Sequence, residues 1–221
     1  LADDNTAYRK EGRVWIEGDH LCRAALARGV DPLFAVFPAA AWAMGLPQWL
    51  PGANKILVLD DALWRDVSTL ESPAPMGFVL SLPVTASLHA KQPTVILDRV
   101  QDAGNVGSIL RSASAFGFSQ VIALKGTAAL WSNKVLRASM GAHFGLQLVE
   151  GAETSDLDVL ELPLIITSSH RGQYLHQAQI PPVCAWAMGH EGQGVCAELE
   201  RRADLHIRIA QPGGEESLNV A

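Results

Sequence analysis

The stretch Ile209-Ala-Gln-Pro-Gly-Gly-Glu-Glu-Ser-Leu-Asn-Val220 lies against the end of a 221-residue chain and packs three signals into twelve positions. Leu205, Ile207 and Ile209 alternate with polar residues, as a strand does. Pro212, Gly213 and Gly214 then make a turn, and Ser217 and Asn219 stand where a new helix should begin. Such a junction offers unpaired backbone N–H groups beside two neutral polar side chains. That combination suits a small polar ligand held next to a reacting group.

Working upstream, two further segments share the strand-then-polar-turn layout. Thr94-Val-Ile-Leu-Asp98 reads as a strand and leads to Asn105-Val-Gly-Ser-Ile-Leu-Arg111. Pro182-Val-Cys-Ala-Trp-Ala-Met188 reads as a strand and leads to Gly189-His-Glu-Gly-Gln-Gly194. Asn105 is placed at the start of a helix, where its amide can cap the helix or hold a ligand. Arg111 follows about 600° of helical rotation later, so the two need not share a face. A guanidinium among small and apolar neighbours wants an anion: a phosphate, or the carboxylate of Asp98, Asp102 or Glu191. The three glycines of residues 189–194 permit close backbone approach to a ligand. Neither a GxGxxG opening a helix nor a Walker lysine is present, which disfavours dinucleotide and nucleoside-triphosphate sites. His190-Glu191 lacks the second histidine of a zinc motif, and no metal is expected.

The chain carries 17 Lys and Arg against 23 Asp and Glu, a formal charge of −6. Counterion release drives most nucleic-acid affinity, so an RNA-binding face on this chain must be a local patch or be completed by a second subunit. Cys22, Cys184 and Cys196 are odd in number and scattered, which gives neither a disulfide framework nor a CxxC zinc spacing. No apolar run reaches membrane-spanning length, and the expected compartment is the cytoplasm. Leu1 in place of an initiator Met, and an end at Ala221 where a helix is due, read as a fragment lacking its last helix.

Two domains are expected. Residues 1–85 read as a small α/β unit. Its elements are a helix over Glu17–Gly29, strands at 33–37, 55–59 and 77–82, and a helix from Asp60 or Asp61 to about Leu70. Pro83, Pro93 and the polar interval between them make a linker. From residue 92 to 221, apolar strands alternate with helical stretches. This pattern predicts a mostly parallel sheet sandwiched by helices.

In order and spacing, the three segments around Asn105, Glu191 and Ser217 resemble the three motifs of the SPOUT-class RNA ribose 2′-O-methyltransferases, the TrmH or SpoU family. The resemblance implies an α/β-knot catalytic domain behind an N-terminal domain similar to ribosomal protein L30e. It implies S-adenosylmethionine as methyl donor, held near Thr167, Gly189, Gly194, Ile209, Gly213 and Leu218. Catalytic roles fall to Asn105, Arg111, Glu191, Ser217 and Asn219, with Arg111 on RNA phosphate and Glu191 orienting Arg111 or the substrate. Arg9 and Lys10 are the N-terminal candidates for RNA contact. The resemblance further implies a homodimer and an RNA substrate, 23S ribosomal RNA ahead of transfer RNA. One departure is Ala210, where the family usually has proline. Alternatives are a non-catalytic RNA-binding or ribosome-assembly factor on the same fold, and a nucleotide-dependent dehydrogenase or hydrolase, which α/β alternation alone cannot support.

Overall fold

Val14, Trp15 and Ile16 are consecutive and all buried, which requires a strand covered on both faces. In the computed structural model, which describes residues 4–50, 55–84, 87–168, 171–213 and 218–221, they form strand β1 (Arg13–Glu17). With β2 (Phe34–Pro38), β3 (Ile56–Leu59) and β4 (Gly77–Ser81) it makes a four-stranded sheet in the order β1-β4-β2-β3. Only β2 and β3 run parallel. Four helices accompany the sheet: α1 (Ala7–Glu11), α2 (Asp19–Ala27), α3 (Ala39–Ala43) and α4 (Asp61–Val67). Asp60 caps α4, its carboxylate accepting the Leu63 N–H at 2.7 Å.

The sequence reading has no strand at β1 and begins a helix at Glu17. Glu17 is the reason. Its carboxylate is only 8% exposed and accepts hydrogen bonds from Ser68 Oγ at 2.6 Å, Thr69 N at 3.0 Å and Ala74 N at 3.1 Å. Partners more than fifty residues away satisfy a carboxylate that local pattern assigns to the start of a helix. The helix expected from Glu17 accordingly starts at Asp19.

The second sheet has seven strands, all parallel. They are β5 (Thr94–Leu97), β6 (Gln120–Leu124), β7 (Gln147–Ala152), β8 (Leu164–Thr167), β9 (Gln173–Tyr174), β10 (Ala185–Met188) and β11 (Leu205–Arg208), ordered β7-β6-β5-β10-β8-β11-β9. Three helices, α5 (Ala103–Ala115), α6 (Asn133–Ala138) and α7 (Ala197–Arg202), lie on it. Val121 and Ala123 of β6 join one core cluster with Val106, Ile109 and Leu110 of α5, while Ile122 and Leu124 join another with Leu199 of α7. Both faces are therefore covered, as uninterrupted apolar strands require. A Cβ on Gly107 would lie 2.3 Å from that of Ala138, so α5 and α6 cross at a distance only glycine allows. The edge strand β9 was not expected, because two exposed residues carry no alternation to read. Among the described residues, no helix is long and apolar enough to cross a membrane.

One hydrophobic cluster runs through both sheets, from Tyr8, Val14 and Phe78 to Val95, Leu97 and Trp131. A polar tie reinforces it. Tyr8 Oη donates to the Glu150 carboxylate of β7 at 2.7 Å, Arg9 Nη2 does so at 3.2 Å, and the Leu130 N–H at 2.7 Å. Burial, then the Glu150 carboxylate, pushes the Tyr8 phenol well above its usual range, so it remains a donor. Tyr8→Phe should destabilise the protein by about 1.5 kcal/mol, the scale of a hydrogen bond to a charged group. Chemical unfolding of both proteins checks this, and equal midpoints would remove the tie from the account.

Candidate active site

In a parallel sheet, ligands gather at the carboxyl ends of the strands where chain order switches. Here β10 inserts between β5 and β8, and Leu97 pairs with Met188, Ala187 with Ile166, and Ile207 with Thr167. The three turns singled out in the sequence thus leave one edge of one sheet, after β5, β10 and β11.

The first turn differs from expectation in its cap. Asp102, not Asn105, caps α5, its carboxylate accepting the Asn105 N–H at 2.8 Å. Asn105 sits one turn in, which frees its amide: Nδ2 donates to Glu191 Oε1 at 3.2 Å. The same carboxylate accepts the Asp102 N–H at 3.1 Å and the Gln101 N–H at 3.2 Å. The second motif therefore grips the start of α5, which carries the first.

Desolvation disfavours the Glu191 charge, but hydrogen bonds from its own backbone N–H, Asp102, Asn105 and Gln101 outweigh it and hold its pKa at about 2. A carboxylate with a depressed folded pKa stabilises the fold above its unfolded pKa, about 4.5, and loses that contribution as pH falls towards 2. The melting-temperature gap between wild type and Glu191→Gln should be constant above pH 5 and close between pH 4.5 and 2. A gap independent of pH would show that the charge is not what grips α5.

Arg111 is exposed. Each carboxylate that could have neutralised it is engaged elsewhere: Asp98 by Arg99, Asp102 by the α5 cap, Glu191 by residues 101–105. Glu191 itself meets residues 101, 102 and 105 at the start of the helix that bears Arg111. Among the described residues, Arg111 has no hydrogen bond or ion pair, and Ser108 and Ser112 are exposed beside it on α5. That face presents one free cation and two hydroxyls to an anionic ligand.

The loop after β10 closes on itself. His190 N–H donates to Gly194 O at 3.0 Å, Gly194 N–H to His190 O at 2.8 Å, and Gly192 N–H to His190 Nδ1 at 3.0 Å. A Cβ on Gly189 would lie 2.2 Å from the carbonyl carbon of Gly194 and the nitrogen of Val195, so residue 189 must be glycine. Gly194 turns the chain at φ +68. His190 is committed to this loop, consistent with a lining rather than a proton-transfer role.

Thr167 is exposed at the end of β8, Ile209 and Leu218 expose 46% and 55% of their surface, and Gly213 has open space around it. Gln211 Oε1, two residues beyond Ile209, is buried without a partner among the described residues. Exposed apolar faces, free backbone and an orphaned acceptor fit a nucleoside such as that of S-adenosylmethionine. Among the described residues, Asn219 Oδ1 meets only the Ala221 N–H, at 3.4 Å, while Val220 packs on the main core. Ser217 and Gly214 lie outside the described residues. Arg9 is drawn to Glu150, whereas Lys10 is exposed. All three cysteines are free, and no group of His, Cys, Asp or Glu among the described residues could hold a metal.

Two residues here escaped the sequence reading as site residues. Asp98 is 2% exposed at the end of β5 and accepts the Cys196 N–H, and Arg99 reaches Gln193 and Gly194. An acidic residue closing a fully buried strand was the available signal.

A parallel sheet with helices on both faces matches the structures of SPOUT methyltransferases. Residues 92–221 match the model of the SpoU rRNA Methylase family. Over 216 residues the chain is 30% identical to the 23S rRNA (guanosine(2553)-2′-O)-methyltransferase RlmP of Bacillus subtilis (strain 168), covering 96% of this chain and 85% of that protein. It is 37% identical over 160 residues to the mitochondrial rRNA methyltransferase 3A of Danio rerio, covering 68% of this chain and 37% of that one. A TrmH-family structure from Porphyromonas gingivalis superposes with a TM-score of 0.84 at 28% identity, over 99% of this chain and 89% of the other. The chain belongs to the SpoU rRNA methylase family of S-adenosylmethionine-dependent RNA 2′-O-methyltransferases.

Proposed function

We propose that this protein methylates a ribose 2′-hydroxyl of structured ribosomal RNA, 23S ahead of transfer RNA, working as a cytoplasmic homodimer. The observation that carries the reading is the Glu191 carboxylate on Asn105 and the start of α5, with Arg111 left unneutralised on that helix. Similarity to RlmP along nearly the whole chain supports the ribosomal substrate.

S-adenosylmethionine supplies an electrophilic methyl on a sulfonium, and the protein must align a hydroxyl with it and help that hydroxyl lose its proton. Arg111 binds the phosphate beside the target ribose and stabilises the oxygen as it gains charge. Asn105 and Glu191 fix the helix that presents Arg111. Thr167 and the backbone at Gly189, Gly194, Ile209, Gly213 and Leu218 hold the donor. Ser217 and Asn219 position the ribose. Residues 1–85 serve as an L30e-like substrate-binding domain and residues 92–221 as the catalytic domain. Lys10 is free to meet RNA, whereas Arg9 must leave Glu150 to do so.

Mapping ribose methylation in ribosomal and transfer RNA from cells lacking the protein tests the proposal. One lost 23S methylation is the expected result. Loss confined to transfer RNA would move the substrate, and no loss, with no calorimetric binding of S-adenosylmethionine, would leave the non-catalytic RNA-binding reading.

A further inference from the structure

Arg99 is one of two non-glycine residues with a left-handed backbone among the described residues, at φ 59. A long side chain rarely adopts that conformation unless its surroundings impose it. The Thr127 hydroxyl and the room left by Gly126 accommodate it. The Arg99 N–H donates to Thr127 Oγ1 at 3.1 Å, Thr127 Oγ1 in turn donates to Leu97 O at 3.0 Å, and a Cβ on Gly126 would come within 3.1 Å of Arg99 Cγ. The backbone is thereby turned so that the guanidinium runs back across the end of β5 towards the loop after β10.

There four of its five N–H groups find acceptors. Arg99 Nε donates to Asp98 Oδ1 at 2.9 Å and Nη2 to Oδ2 at 3.3 Å, a two-pronged grip on a buried carboxylate. Nη1 donates to Gln193 Oε1 at 3.0 Å, and Nη2 also approaches Gly194 O at 3.4 Å. Asp98 completes the link from the other side: its Oδ2 accepts the Cys196 N–H, and its own N–H donates to Met188 O at 2.8 Å. The pair therefore touches the chain before the loop, at Met188, inside it, at Gln193 and Gly194, and after it, at Cys196. The same loop carries Glu191, which grips α5.

We infer that Arg99 is a positioning residue, a clamp that holds the 189–196 loop in the shape needed to bind the methyl donor and to seat α5. The donor part of this inference rests on the proposed methyl-transfer reading. Glycine at position 99 separates the clamp from backbone strain. It accepts φ 59 without strain but has no guanidinium, so losses in the loop cannot be attributed to a distorted backbone.

Hydrogen exchange, melting temperature and calorimetry with S-adenosylhomocysteine should be compared for wild type, Arg99→Gly and Arg99→Lys. In Arg99→Gly, the amides of His190, Gly194 and Cys196 should exchange at least about tenfold faster, by a larger factor than amides of β6 and β7, alongside a fall in melting temperature from leaving buried Asp98 without its cation. Donor-analogue affinity should fall about tenfold or more in parallel. Arg99→Lys should recover little of either, because an ammonium cannot span Asp98, Gln193 and Gly194 together. Loop exchange in Arg99→Gly that rises no more than that of β6 and β7 overturns the clamp, as does a fall in melting temperature with unchanged affinity. If wild type itself binds no donor analogue, the proposed activity fails, and the exchange rates alone still decide the clamp.

Discussion

Replacing Arg111 with alanine should leave S-adenosylmethionine affinity nearly unchanged and cut methyl transfer by at least about a hundredfold, the scale of losing assistance to proton transfer. In the proposed reading the donor sits on backbone around Gly189, Ile209 and Leu218, away from Arg111. Melting temperature should move little, because Arg111 is exposed and Asp98, Asp102 and Glu191 are all held by other partners. Arg111→Lys should recover only part of the rate, since a lysine lacks the planar fork that grips a phosphate at two points. Single-turnover transfer to ribosomal RNA, with donor affinity measured separately by calorimetry, distinguishes the outcomes. A well-folded Arg111→Ala protein with full transfer would remove Arg111 from the chemistry, even if the donor site stood.

Gly189→Ala should abolish donor binding, lowering affinity by about a hundredfold or more. The added carbon has no room, because backbone atoms of Gly194 and Val195 stand 2.2 Å from it and cannot rotate aside as a side chain could. The loop must open, which breaks the pairing of His190 with Gly194 and withdraws Glu191 from α5. Gly192→Ala is the control. Its nearest neighbours, the His190 ring atoms, are 3.8 Å away, and binding should persist within about threefold, as surface changes usually allow. Calorimetry on both variants, with circular dichroism to verify folding, checks the pair. Equal affinities would mean that the loop's closed shape does not matter to the donor.

The catalytic half was legible because its signals are local. Unbroken apolar runs such as Val121-Ile-Ala-Leu124 announce strands buried on both faces, and Gly-rich turns after them announce a carboxyl-edge site. Asn105, Arg111 and Glu191 could be picked out because, at those turns, their order and spacing resemble the motifs of the TrmH or SpoU family. The roles within the set were not legible. Asp102 and Asn105 are both good caps in sequence, and only the approach of Glu191 from eighty-six residues away made the first a cap and the second a ligand of the carboxylate. Likewise Arg9 reads as a candidate for RNA contact, and only the fold brings Glu150 beside it.

Period and turn chemistry depend on neighbours along the chain, so the amino-acid order alone foretold a parallel sheet with its helices, though not the edge strand β9, and the turns that leave β5, β10 and β11. Burial of charge depends on neighbours in space. That is why β1 with its buried Glu17, the release of Arg111 from every nearby carboxylate and the left-handed Arg99 bridging β5 to the 189–196 loop came into view only once the folded chain had placed distant partners around them.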